Sequence, residues 1–159
     1  MALLANPPIE LDPEAVTAAE DMVREYCGWH IAPSAPETLT LDGKGGTTLV
    51  LPSLHVTAIA SIVEDGVTLA ATAYEWSQSG LVKRVNGGWP RKYRSIVVTL
   101  THGYTTCPLA VREFIKQLAG SGAASPPMTK AQVGQVVVTY SDPAPAWSVL
   151  DPYRRFGVA

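Results

Sequence analysis

Charge is scarce in this chain. Only 16% of its 159 residues are Asp, Glu, Lys or Arg, against roughly 25% in ordinary soluble domains. A surface covered by partners would explain this, and so would a surface rich in Thr, Ser and Gly. The net charge of −2 excludes a generic nucleic-acid binder of the strongly basic kind. No stretch approaches the ~18 uninterrupted apolar residues of a membrane span. The opening Met1-Ala-Leu-Leu-Ala-Asn-Pro-Pro8 has neither a basic region nor a full apolar core, so it does not read as a secretory signal. A cytoplasmic site of synthesis with reduced cysteines is the expectation.

Groups that do chemistry are also few. There are two cysteines, Cys27 and Cys107, and three histidines, His30, His55 and His102. None of these falls at a CxxC or HxxxH spacing. Cys27 and His30 are three apart, but Gly28 breaks the helix between them and no second pair follows. No metal and no cofactor is expected. The cysteines lie near the end of one helix and the start of another. A bridge is conceivable there, yet two buried thiols are the preferred reading. Cys107 and His102 could pair as nucleophile and base, but nothing in the sequence supplies an orienting acid or an oxyanion hole. The segment Gly43-Lys-Gly-Gly-Thr-Thr48 lacks the phosphate-loop spacing and lies between strands. The chain is therefore read as no enzyme, with a small thiol/His enzyme kept as the alternative from another class.

What is present is a definite order of parts. Asp12 is a good helix N-cap and Pro13 suits the first helical position. Val16, Ala19, Val23, Tyr26 and Cys27 then form one stripe, with Met22 at its edge, and Gly28 is the stop. Pro33 and Pro36 make a rigid connector. From Glu37 the period switches to two. Thr38–Leu41 and Thr47–Leu51 read as strands around a hairpin loop, Asp42–Gly46. Leu54–Glu64 is a long strand closed by the tight-turn pair Asp65-Gly66. Tyr74–Trp76, Leu81–Val85 and Ser95–Thr101 complete the sheet. A second helix starts at Pro108, capped by Thr105 or Thr106, with Leu109, Phe114, Ile115 and Leu118 as its buried stripe. Thr129–Gln132 resembles a capping box for one helical turn, and Gln135–Ser141 is a strand.

The fold class expected is α+β: a small helical core of two to three helices with an inserted antiparallel β-sheet and an extended C-terminal arm. The expectation is a single domain over 1–159. Within it lie a flexible leader at 1–11, helix and connector at 12–36, a β-rich insertion at 37–104, helix and short strand at 105–141, and the arm at 142–159. Two features look made for contact. Lys83, Arg84, Arg91, Lys92 and Arg94 crowd around Asn86-Gly-Gly-Trp-Pro90. They fit a solvated hairpin end, a grip on an acidic protein patch or contact with a DNA backbone. The tail Asp151-Pro-Tyr-Arg-Arg-Phe156 mixes aromatics with arginine, a composition enriched at protein interfaces.

Several segments form a series: Tyr26-Cys-Gly-Trp-His-Ile-Ala-Pro33, Glu64-Asp-Gly66, Tyr74-Glu-Trp76, Thr101-His-Gly-Tyr104, Val133-Gly134 with Val138-Thr-Tyr-Ser141, and Leu150-Asp-Pro-Tyr-Arg154. In this order, over nearly the whole chain, they resemble the head–tail connector (adaptor, or head-completion) proteins of long-tailed bacteriophages of actinobacteria. The resemblance implies a structural virion protein at the head–tail neck, present in the host cytoplasm during assembly. It implies a homo-oligomeric ring, usually twelvefold, between the portal protein and the stopper or tail proteins, with genomic duplex DNA passing non-specifically through the lumen and no membrane partner. Carried over by position, the portal-binding arm would comprise Trp147, Leu150, Tyr153, Arg154, Arg155 and Phe156. The hairpins carrying Lys44, Lys83, Arg84, Trp89, Arg91, Lys92 and Arg94 would meet neighbouring subunits, the stopper or DNA. A tail-terminator or stopper of the same neck is the alternative within this class.

Overall fold

The first helix, α1, spans Pro13–Cys27, and its start is set as the sequence indicates. The Asp12 carbonyl accepts the Val16 N–H at 3.0 Å, and the Asp12 carboxylate accepts the Glu14 N–H at 3.2 Å. Gly28 follows at φ +73°, the left-handed region glycine enters without a Cβ penalty. These positions come from a computed structural model, which describes residues 2–4, 11–121, 131–133, 136–138 and 146–155. The chain divides into two compact units. A helical unit comprises Met1–Cys27 and Cys107–Pro152, and a β unit comprises Gly28–Thr106 and Tyr153–Ala159.

In the helical unit α1 packs against α2, Leu109–Gly120. Val16, Ala19, Val23 and Cys27 are buried from α1, and Val111, Phe114, Ile115, Leu118 and Ala119 from α2. The expected α2 stripe needs one correction: Leu109 is 63% exposed and Val111 is buried instead. Leu109 lies five and six residues before Phe114 and Ile115, on the opposite side of a 3.6-residue helix, whereas Val111 completes the i, i+3, i+4, i+7 face. No threonine caps α2. Pro108 occupies the N-cap, and its carbonyl accepts the Arg112 N–H at 3.0 Å.

The leader is also tied down where it is described. Leu3 and Leu4 are buried, and the Leu4 N–H donates to the Glu20 carboxylate at 2.8 Å. Glu20, itself 5% exposed, is paired with Arg24 at 3.3 Å. A buried carboxylate needs such partners. The apolar pair Leu3-Leu4 therefore docks on its own unit rather than hanging loose. Residues 5–10 lie outside the described residues. Two short antiparallel strands, Ala131–Val133 and Val136–Val138, replace the helical turn expected at Thr129–Gln132. Ala131 and Gln132 are extended, in keeping with the valine-rich partner strand.

The β unit holds two sheets where one was expected. β1 (Ala35–Lys44), the long strand Arg91–His102, β3 (Val56–Glu64) and a two-residue strand Val67–Thr68 form a four-stranded antiparallel sheet in that order. β2 (Thr48–Val50), the strand Leu81–Arg84 and the strand Tyr74–Trp76 form a three-stranded sheet in that order. Thr48–Val50 thus does not fold back on β1. Gly43 and Lys44 are strand residues opposite Lys92 and Arg91, so Asp42–Gly46 is no hairpin loop. At Gly43 the backbones approach so closely that a Cβ would collide with the Pro90 carbonyl oxygen. The turn at Asp65-Gly66 is as expected, with φ of +47° and +85°, the doubly positive pattern of a type I′ hairpin.

Both sheets feed one apolar cluster, which includes Leu49, Leu51, Val56, Ile62, Val82, Ile96, Val98 and Leu100. Ile96, Val98 and Leu100 are buried as their alternation predicts. Trp89 also belongs to this core.

Candidate functional site

The described residues group into three places, two in the β unit and one in the helical unit. The first is the end of the four-stranded sheet. Between Leu41↔Ile96 and Gly43↔Lys92 the register shifts, so Asp42 alone faces Tyr93, Arg94 and Ser95. This bulge re-aims side chains. Arg94 takes φ +52°, a conformation costing roughly 1–2 kcal/mol for a residue with a Cβ. It is held by Asp42, whose carboxylate accepts the Arg94 N–H at 2.7 Å, and by Ser95, whose hydroxyl donates to the Lys92 carbonyl at 2.9 Å. Lys44, Arg91, Lys92 and Arg94 are all exposed there. Lys92 is paired with Asp65 at 2.5 Å. Tyr93 is 85% exposed and, with Asp42, Gly43, Lys44, Arg91 and Lys92, lines a hollow of about 450 Å³.

Two of the expected contact residues are internal instead. Trp89 is 3% exposed, with its N–H donating to the Gly46 carbonyl through the backbone at 2.8 Å. Arg84 lies over the Trp89 ring, 5.2 Å from its centre, and pairs with Glu64 at 2.7 Å, both side chains largely buried. A cation on an indole face with a carboxylate partner is a structural device here, so neither residue is presented to a partner. Lys83 is exposed but sits on the three-stranded sheet opposite Glu75, apart from the strand that carries the other cations. Sequence reasoning missed Tyr93. The signal available was Lys92-Tyr93-Arg94, an aromatic between two cations just before an alternating strand.

The second place gathers residues from three segments of the motif series. Trp29, His30, His55, His102, Gly103 and Tyr104 converge. The His30 and His102 rings lie 5.4 Å apart, and Tyr104 stacks on His55 at 4.2 Å. The Tyr104 N–H donates to the Ile31 carbonyl at 2.8 Å. Gly103 has φ +96°, and a Cβ there would press on His30 and on the Ile31 and Pro33 carbonyls. The peptide Ala32-Pro33 is cis. His102 is 2% exposed and bonds Glu37 at 2.7 Å. The Trp29 indole donates to the Tyr153 carbonyl at 2.7 Å, and Tyr153 meets Tyr104 edge-on at 6.3 Å. These partners make a packed aromatic clasp for the end of the chain. Among the described residues no group of three or more His, Cys, Asp or Glu could hold a metal ion.

The third place is the root of the C-terminal segment. Trp147–Tyr153 forms a 3₁₀ helix. Within the helical unit Trp147 packs on Tyr26 at 5.0 Å and on Phe114 at 4.9 Å, and Tyr26 donates to Asp151 at 2.7 Å. Leu150 is fully buried. Leu150 therefore anchors the segment and is not free to touch a partner, and Trp147 is half-buried in the same role. Arg154 is exposed and Arg155 half-buried; Phe156 lies outside the described residues. A shallow groove of about 430 Å³ beside Trp147 is lined by Met22, Glu25, Tyr26 and Trp147. Neither cysteine is in a disulfide, and both are buried. Burial pushes the Cys107 thiol up to about 11, against the opposing pull of Arg112. The thiolate is the nucleophilic form, so burial holds Cys107 toward its less reactive thiol form.

The described residues thus combine a two-helix core, a β insertion and a surface that exposes Tyr93 and several cations. The chain belongs to the head completion protein family, whose sequence profile matches residues 9–119. That span runs from before α1 into the last turn of α2. No curated protein sequence matches. Among solved structures, the fold is similar to a chain from the neck of a native GTA particle computed with C12 symmetry, at TM-score 0.66 and 14% identity, covering 94% of this chain and 86% of that one. It is also similar to a chain from the virion of a native gene transfer agent particle, at TM-score 0.64 and 14% identity, covering 98% and 86%. A third is from the neck of an empty GTA particle computed with C6 symmetry, at TM-score 0.61 and 15% identity, covering 92% and 78%.

Proposed function

We propose that the chain is a structural part of the head–tail neck of a phage-like particle: a ring adaptor between the portal and the tail, whose lumen passes genomic DNA. The observation that carries this reading is a likeness of fold over 94% of the chain to a neck protein solved in a twelvefold assembly, joined to membership of the head completion family. Copies act as one assembly domain each and close head to tail, which requires two different complementary patches on one subunit. The end of the chain from Tyr153 onward, with Arg154, Arg155 and Phe156, reaches the portal. Leu150 and Trp147 root that segment. The exposed cations Lys44, Lys83, Arg91, Lys92 and Arg94 serve contacts to neighbouring copies or to the next ring. A net charge of −2 suits a conduit that must not hold DNA tightly.

Deleting residues 154–159 tests the portal contact while leaving the Leu150 anchor in place. The expected result is a folded chain that no longer co-purifies with the portal ring of its own particle. Undiminished portal binding by the truncated chain would overturn the role of the segment, and binding to a tail ring instead would favour the stopper or terminator position. Tight binding of duplex DNA at physiological salt would overturn the conduit reading.

A further inference from the structure

The bulge at Tyr93 and the groove at Trp147 carry opposite charges beside apolar groups. On one side, a protruding tyrosine is flanked by Arg91, Lys92 and Arg94, and its backbone is fixed in advance by Asp42. On the other, Met22, Tyr26 and Trp147 leave an open apolar slot of about 430 Å³ with Glu25 on its wall and the exposed Asp151 bonded to Tyr26 at its edge. Met22 is 41% exposed, unusual for a residue at the border of a helical core stripe. Tyrosine and arginine anchors seated in such slots dominate binding energy at interfaces, and a tip held rigid before docking loses less entropy on binding.

We infer that the two surfaces bind each other between copies: Tyr93 of one copy enters the Met22–Tyr26–Trp147 groove of the next, with the flanking cations against Glu25 and Asp151. The inference rests on the ring reading above and names the contact that would close it. A second copy is the occupant because the charges demand an acidic partner. The tip carries four cations to the two carboxylates Asp42 and Asp65, so the remainder of a chain of net charge −2 is more acidic still. Duplex DNA fits less well, since its phosphates offer charge but no apolar slot for the Tyr93 ring such as Met22, Tyr26 and Trp147 provide. A contact of this kind is heterologous, as a closed ring requires.

The test places the two halves on separate chains. Lys92→Cys, beside an intact Tyr93, and Met22→Cys are made singly, both at exposed positions, in a background where Cys27 and Cys107 are buried. The two variants are mixed under mild oxidant, alone and with the portal ring, and the linked peptides are mapped. The inference expects the 92–22 cross-link to form in preference to 92–92 and 22–22 links. It also expects Tyr93→Ala to weaken self-association about thirtyfold or more, with Tyr93→Phe retaining most of it and circular dichroism unchanged in both. Copies that assemble on the portal without a 92–22 link, and with Tyr93→Ala neutral, would overturn this contact and leave the ring reading standing. A wild-type chain that neither self-associates nor assembles on the portal would overturn both. DNA binding lost in Tyr93→Ala, with assembly intact, would overturn the choice of occupant.

Discussion

Replacing Leu150 with alanine tests whether the C-terminal segment is rooted in the helical unit. Leu150 is fully buried within a seven-residue 3₁₀ helix. Truncation removes three carbons' worth of apolar contact, at about 0.8 kcal/mol each, and leaves a cavity whose cost raises the total to about 3 kcal/mol. For a chain of this size that corresponds to a fall in melting temperature of about 6–12 °C. Urea unfolding followed by circular dichroism gives the loss, and hydrogen exchange across residues 147–153 shows whether it arises there. Val149→Ala is the control, since Val149 is 46% exposed and surface truncations of this kind cost about 0.5 kcal/mol or less. A Leu150→Ala loss below about 1 kcal/mol, with exchange unchanged at 147–153, would refute the anchoring argument.

Three further outcomes follow from particular residues. Gly43→Ala drives a Cβ into the Pro90 carbonyl and should cost about 2 kcal/mol or more, read as a lower urea midpoint; an unchanged midpoint would show that the strand end yields freely. Arg94→Gly relieves a left-handed conformation at φ +52° and should stabilise the β unit by about 0.5–1 kcal/mol while weakening self-association, because a looser bulge presents Tyr93 less rigidly. For Cys107, the folded chain holds the proton up to about pH 11 against an ordinary value of 9.0. The thiol's contribution to stability is therefore fully present below about pH 9 and lost as pH rises toward 11. Iodoacetamide at pH 8 should leave Cys107 unmodified until urea unfolds the chain, and rapid native labelling would contradict its burial.

The helices were legible because their signals are local. Asp12-Pro13, Gly28 and the stripe through Val16 and Val23 define α1 without reference to anything distant, and Asp65-Gly66 defines its turn in the same way. Sheet partnership was not legible. Thr48–Val50 alternates like a strand paired with Thr38–Leu41, but its partner is Leu81–Arg84, a choice made by tertiary packing of Leu49 and Val82 into the shared core. The contact residues split for a related reason. Composition finds clusters of cations, yet it cannot tell Arg84, buried over Trp89, from Arg91, exposed two positions after it. Tyr93 went unseen because its exposure depends on a bulge fixed by Asp42, fifty-one residues earlier in the chain.

The measurement that bears most directly on the account is the native mass of the purified chain mixed with the portal ring of its own particle. The account predicts a discrete complex carrying a full ring of copies on each portal. A chain that remains monomeric and passes the portal without binding would contradict it.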